Sequence, residues 1–214
     1  MTVEVFLVDD HALVRTGIKM ILSGQADITV VGEAESGEQA LPEIRRLKPH
    51  VVLCDLHLPG LSGLEITERI VKGNYGTRVI IVSVLEDGPM PKRLMEAGAS
   101  GYVGKAGDAQ ELIRAIHSVA QGKRYLASTV AQHLALATIG PESPFDALSP
   151  REMEVALLLI QGYRQEEVAR RLSLSAKTVN THKARLFEKL MVHDGIALAR
   201  LATQYGVVEP VKSL

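Results

Sequence analysis

VEVFLVDDHALVRTGIKMIL, residues 3–22, carries the reading that decides the fold. A short run rich in Val stops at two carboxylates, Asp9 and Asp10, and residues 12–22 then show helical spacing. The same unit recurs across residues 3–123. Strand-like runs lie at 3–8, 28–31, 51–54, 78–82 and 101–103, with helical segments at 12–22, 38–47, 63–71, 91–97 and 108–121 between and after them. The last segment opens on Asp108 with Glu111 three residues on, a capping-box pattern, and Gly122 ends it. Five strand–helix units require right-handed crossovers and a parallel sheet covered on both faces. The expected fold is α/β, a five-stranded doubly wound parallel sheet.

Beyond residue 123 the strand signal stops. Residues 127–138 read as a helix, and IGPESPFDALSP (139–150) has linker composition. Ser149 as N-cap, Pro150 at the first helical position and Glu152 closing a capping box then start a helix that runs to Gly162, with Leu148 placed to staple onto Met153. Further helices are expected at 165–172, 176–190 and 194–205, with Ser-Leu-Ser (173–175) as a turn. The predicted organisation is an α/β domain over 3–120, a linker containing a helix over 121–143, and an all-α four-helix domain over 144–209.

Among the 214 residues, 24 Lys and Arg nearly balance 25 Asp and Glu, and a single Cys excludes a disulfide framework. Two acids by residue 10 and no apolar run near ~18 residues argue against a signal peptide or membrane span. A soluble protein of a reducing compartment is expected. The charge is a cancellation: residues 1–148 carry −4 and residues 149–214 carry +3. A basic helical domain behind an acidic one fits nucleic-acid binding, though a solvated helical face explains +3 as well.

In an open parallel sheet, ligands bind outside the carboxyl ends of the strands. Those ends bear Asp9 and Asp10, Asp55, Ser83 and, after the fifth strand, Lys105. Two carboxylates ~4 Å apart repel by roughly 4 kcal/mol at an effective dielectric near 20, so such a cluster needs a cation. Oxygen ligands suit Mg²⁺, with Lys105 neutralising part of the remainder. The favoured chemistry is phosphoryl transfer to a carboxylate, with Asp55 as nucleophile, Ser83 and Lys105 on the phosphoryl oxygens, and Asp9 and Asp10 on the metal and its waters. An Asp pair ahead of a helix also serves as a cap and a dipole charge. The joint occurrence at four strand ends is what favours the functional reading. Cys54 reads as a small core residue.

FLVDDHALVR, VVLCDLHLPGLSG, VIIVS and GYVGK together resemble the receiver domain of two-component response regulators, a flavodoxin/CheY-like fold, over residues 3–120. The resemblance implies Asp55 as phospho-acceptor, and Mg²⁺ held by Asp10, Asp55 and the His57 carbonyl, with Asp9 acting mainly through water. It further implies Ser83 as switch hydroxyl, Tyr102 as switch aromatic and Lys105 as phosphate contact. Without it, Tyr102 reads as an ordinary strand aromatic. Leu58 and Ala106 depart from the usual Met and Pro at packing and turn positions.

A short helix, a three-residue turn and a longer helix form a helix-turn-helix, whose longer helix enters the major groove. Wound at about 100° per residue, 176–190 puts Val179, Leu186, Phe187 and Leu190 on one face and Lys177, Asn180, Thr181, Ala184 and Glu188 opposite, with Thr178 and Arg185 flanking. Asn suits adenine edges, Thr and Ala a thymine methyl, and Arg a guanine. Lys183 and the helix start at Ser175 are placed for phosphate. LSPREMEVALLLIQG and EEVARRLSLSAKTVNTHKARLFEKL resemble the helix-turn-helix of the NarL/FixJ (LuxR-type) family. Gln165 stands where Asn is frequent and Ala184 where some members carry Lys. The family implies dimerisation through the last helix, with Ile196, Leu198 and Leu201. RTGIKMIL, EAESGEQA, LMEAGASGY and GKRYLAS narrow the likeness to the GacA/UvrY branch. That branch implies a cytoplasmic, non-enzymatic regulator, phosphorylated by a sensor histidine kinase or phosphotransfer domain. It homodimerises on double-stranded DNA, activates small regulatory RNA genes and needs no membrane. Two rival readings stay open: an Mg²⁺-dependent phosphatase with an Asp nucleophile, and a constitutive DNA binder whose receiver only dimerises.

Overall fold

The structure is a computed structural model that describes residues 2–84, 86, 89–137, 143–172, 174–205 and 207. Contacts divide the chain into two compact units, Met1–Glu86 with Pro91–Gln132, and Asp87–Met90 with His133–Leu214. Thr138, linker residues 139–142, Ser173 of the expected turn, and residues 208–209 lie outside the described residues.

The first unit alternates β1 (Val3–Val8), α1 (Ala12–Ser23), β2 (Ile28–Ala34), α2 (Gly37–Leu47), β3 (Val51–Asp55), α3 (Gly63–Gly73), β4 (Arg78–Ser83), α4 (Met90–Glu96), β5 (Gly101–Gly104) and α5 (Ala109–Ala120). All strands are parallel in the order β2-β1-β3-β4-β5-β6. The sheet has six strands rather than five. The addition, β6 (Tyr125–Leu126), is two residues long and too short to show a period; its backbone bonds to Ser100 and Tyr102 hold it beside β5. β3 is buried at every position, which is why it reads as an unbroken apolar run. On one face Val5, Leu7, Val51, Leu53, Ile80, Val82 and Val103 pack with Ile18 and Leu22 of α1 and with Leu112, Ile113, Ile116 and Val119 of α5.

The capping box expected at Ser149 forms, and the one expected at Asp108 does not. Ser62 closes a capping box with Glu65 at the start of α3. At α5, Asp108 accepts from the Gln110 N–H, and the Glu111 carboxylate accepts from the backbone N–H of Ser128, so the expected box is not formed. Glu111 instead holds the start of α6 (Ser128–Ala137).

In the second unit a 3₁₀ turn (Pro144–Ala147) precedes α7 (Pro150–Ile160), α8 (Gln165–Arg171), α9 (Ala176–Leu190) and α10 (Gly195–Gln204). Ser149 and Glu152 form the capping box that starts α7. Glu152 also pairs with Lys189 of α9 at 2.7 Å, and Lys189 donates to the Ala147 carbonyl. Arg151 pairs with buried Glu154 and donates to the Leu172 carbonyl, fastening α7 to the end of α8. Val168, Val179, Leu186, Leu190 and Leu198 are buried in this unit's core.

Candidate phosphoryl and metal site and nucleic-acid interface

The chain leaves β1 toward β2 on one side and resumes at β3 on the other, so the sheet's switch point lies between the ends of β1 and β3. Register then places the side chains. Asp55 pairs with Val82, Ser83 with Gly104, and the Lys105 N–H donates to the Ser83 carbonyl at 2.8 Å. The Lys105 Nζ stands 2.8 Å from Asp9 Oδ2 and 2.9 Å from Asp55 Oδ2. Asp9 and Asp55 are each 4% exposed and Ser83 is fully buried, whereas Asp10 is exposed. Tyr102 is also fully buried, in β5.

Burial raises the Asp55 carboxyl above its ordinary range; Lys105 and the His57 backbone N–H oppose that rise, and Asp9 adds to it. For Lys105, burial disfavours the ammonium, but Asp55 and then Asp9 hold it above its ordinary value. The His57 ring is pushed down by burial and by Lys105. Burial sends the Cys54 thiol well up, in keeping with an inert core residue.

Two residues bear on the site that the sequence reading did not single out for it. His11 lies with Nδ1 2.8 Å from Asp10 Oδ1 and 3.2 Å from Asp9 Oδ1. Ligand atoms of Asp9, Asp10, His11 and Asp55 fall within 4.8 Å of one another, so an oxygen-rich set capable of holding a divalent cation is assembled at the switch point. Gly63 is required by close approach: a Cβ there would lie 2.3 Å from the Asp55 carbonyl oxygen. Its signal was its place in the tight LPGLSG turn just past the acid.

On α9, Lys177, Asn180, Thr181, Ala184, Arg185 and Glu188 are exposed, opposite buried Val179, Leu186 and Leu190. Ser175 accepts from the Thr178 N–H, the two hydroxyls lie 2.8 Å apart, and Thr178 is half-buried. The Thr181 hydroxyl donates to the Lys177 carbonyl, which turns its methyl into the group left for contacts. Lys183 is half-buried, its ammonium 5.3 Å from the centre of the half-buried Phe187 ring. On α10, Ile196 is 70% exposed and Leu201 half-buried, but Leu198 is fully buried. Leu198 is therefore a core residue of its own unit and not a dimer contact.

The chain matches the response regulator receiver domain over residues 5–117 and the bacterial regulatory proteins of the luxR family over residues 146–202. It is 43% identical to the response regulator GacA of Pseudomonas aeruginosa over 97% of this chain and 98% of that one. It is 43% identical to UvrY of Escherichia coli over 96% and 95%. Among solved structures, RcsB of Salmonella enterica serovar Typhimurium, bound to a promoter in the presence of phosphomimetic beryllofluoride, superposes with a TM-score of 0.71 at 26% identity, covering 95% of this chain and 100% of that one. The response regulator ChrA of a heme-sensing system gives 0.56 at 32% identity, covering 97% and 99%. Acid-lined switch point and capped helix-turn-helix thus occur in one chain in the order these relatives share, and the chain belongs to the two-component response regulators that join a receiver domain to a LuxR-type DNA-binding domain.

Proposed function

We propose that Asp55 is the phospho-acceptor, charged by a sensor histidine kinase or phosphotransfer domain, and that its phosphorylation promotes homodimeric binding of double-stranded DNA through α9. The observation that carries this reading is the Lys105 ammonium bridging Asp9 and Asp55 at buried strand ends. Asp55 attacks phosphorus in its ionised form, and the bond from phosphorus to the donor imidazole breaks; that ring, protonated on its other nitrogen, takes the electron pair of the broken bond and departs as neutral imidazole. Burial works against that ionised form, and Lys105 and the His57 N–H offset part of that effect. Asp10, Asp55 and the His57 carbonyl, with Asp9 through water, would hold Mg²⁺, which would supply charge neutralisation at the phosphoryl oxygens. Aspartyl phosphate adds about one negative charge and strong acceptors. Lys105 and the Ser83 hydroxyl are the groups placed to engage them, with Tyr102 packed in the neighbouring strand.

For α9, the exposed stripe supports base contacts by Asn180, Thr181, Ala184 and Arg185, with Lys177, Lys183, Ser175 and Thr178 nearer phosphate. The exposed Ile196 and half-buried Leu201 are the dimer contacts this reading retains. The likeness to GacA and UvrY supports a cytoplasmic, non-enzymatic activator of small regulatory RNA genes, with the receiver over 3–120, a linker over 121–143 and the reader over 144–209. No helix among the described residues is long and apolar enough to cross a membrane. A phosphatase would need an acid at His57, and burial keeps that ring's pKa below its ordinary value, ill suited to protonating a leaving group at neutral pH. The test is operator affinity with and without beryllofluoride and Mg²⁺. Wild type should tighten and Asp55→Ala should not; equal response of the two would overturn the assignment.

A further inference from the structure

We propose that Arg15 is a positioning residue for the cation site, its guanidinium holding the Asp9–Asp10 peptide in the orientation that cation binding requires. The inference rests on reading Asp9, Asp10 and Asp55 as that site. Arg15 lies in the inward phase of α1 with Ile18 and Leu22, the three being the buried residues of that helix. A guanidinium held 7% exposed is costly unless its donors are matched. Nη2 reaches Glu35 Oε1 at 2.6 Å and Nε lies 3.5 Å from Glu33 Oε2. Both glutamates are more than one-third exposed, so water already serves them and they do not by themselves require a buried partner.

Nε makes no hydrogen bond among the described residues, and the third nitrogen, Nη1, goes inward. Nη1 donates to the backbone carbonyl of Asp9 at 2.5 Å. β1 ends at Val8, and the Asp9 N–H makes a ladder bond to the Ala34 carbonyl. The chain then turns toward α1, and the Asp9 carbonyl takes its bond from the arginine instead of from a neighbouring strand. That carbonyl belongs to the peptide linking the two acids, so holding it restricts the backbone from which both side chains depart. The turn is completed by the His11 N–H, which donates to Asp9 Oδ1 at 2.8 Å, and by the Arg15 N–H, which donates to the His11 carbonyl. A planar fork can serve Asp9 and Glu35 together; a lysine ammonium on a single stem serves one of them. Groups that orient metal ligands without touching the metal alter affinity about 10-fold or more when removed.

The experiment measures Mg²⁺ affinity of the full chain by isothermal titration calorimetry, together with thermal unfolding under chelator. Arg15→Met and Arg15→Lys should each bind Mg²⁺ about 10-fold more weakly. Glu35→Gln keeps the Asp9 bond while loosening the other end of the fork, and should shift affinity in the same direction by less. A merely structural role would lower the melting temperature and leave the affinity of the folded variants at the wild-type value, which overturns the proposal. If Arg15→Met does not fold, Arg15→Lys decides alone, with affinity within twofold of wild type as the overturning result. Wild type that binds no Mg²⁺ removes the reading of the site itself, whereas wild type and variants that bind alike remove only the role of Arg15.

Discussion

Replacing Lys105 with methionine retains most of the side chain's packing and removes the ammonium that stands between Asp9 and Asp55. Deleting one partner of a buried ion pair costs ~3–5 kcal/mol. Lys105 is 13% exposed against 5% and 4% for the two carboxylates, which allows water to relieve part of the loss and places the cost at about 3 kcal/mol. For a chain of this size that corresponds to a fall in melting temperature on the order of 10 °C. The deficit should depend on pH with a definite sign. Burial already raises Asp55 with the ammonium in place, and its loss raises Asp55 further. A carboxyl raised by folding contributes stability that is present below its unfolded value and lost as pH rises through its folded value. The raised Lys105 contributes stability below its unfolded value and loses it as pH rises through the folded one, so wild type keeps the bridge at neutrality. The variant's deficit is therefore largest near neutral pH and shrinks as pH falls toward about 5. Thermal unfolding of the full chain by circular dichroism, in chelator and in millimolar Mg²⁺, reads both effects. Mg²⁺ restores part of the missing charge and should stabilise the variant more than wild type. A deficit equal at pH 5 and 7.5 and unmoved by Mg²⁺ would refute the electrostatic account of this cluster.

Glu152→Gln should destabilise the helix-turn-helix unit by about 1–2 kcal/mol, because one carboxylate serves both the α7 cap and Lys189. Burial opposes its charge, yet Lys189 and Ser149 hold its pKa down, so the contribution is present above the unfolded value and is lost as acid titrates the folded one; urea melts at neutral and acid pH check this. Gly63→Ala should weaken beryllofluoride binding, because the new methyl presses on the Asp55 carbonyl; unchanged binding by ¹⁹F NMR would show that the turn yields elsewhere. Leu198→Ala should cost ~2–5 kcal/mol in the reader unit while Ile196→Ala leaves its stability near wild type and weakens dimerisation on DNA, as read by thermal melts and gel shifts.

What could be read beforehand depended on whether a simple geometric rule carried sequence position into space. The parallel-sheet rule did so for Asp9, Asp10, Asp55, Ser83 and Lys105, because each stands at or just past a strand's end and register brings those ends level. Winding α9 did so for its two faces, since Val179, Leu186 and Leu190 share one phase. The same arithmetic, applied to α10, separates Leu198 from Ile196 by about 200° and groups it with the buried Ala202 four residues on. Grouping Ile196, Leu198 and Leu201 as one surface followed the family resemblance where helical phase should have governed. Arg15 is the converse case. It occupies the apolar phase of α1, and a cation on a buried stripe is itself the sign that something inside the fold needs its charge or its donors. Its partners could not be named from that sign, because they are a backbone carbonyl at the turn and two carboxylates from the next strand and the loop after it, fixed by tertiary placement. β6 and the destination of Glu111 were hidden for the same reason, since a two-residue strand has no period and a carboxylate three residues past an N-cap points back to that cap only when no better donor stands nearby. Local patterns therefore located the groups that do the chemistry, while the groups that hold them in place emerge only when the chain returns upon itself.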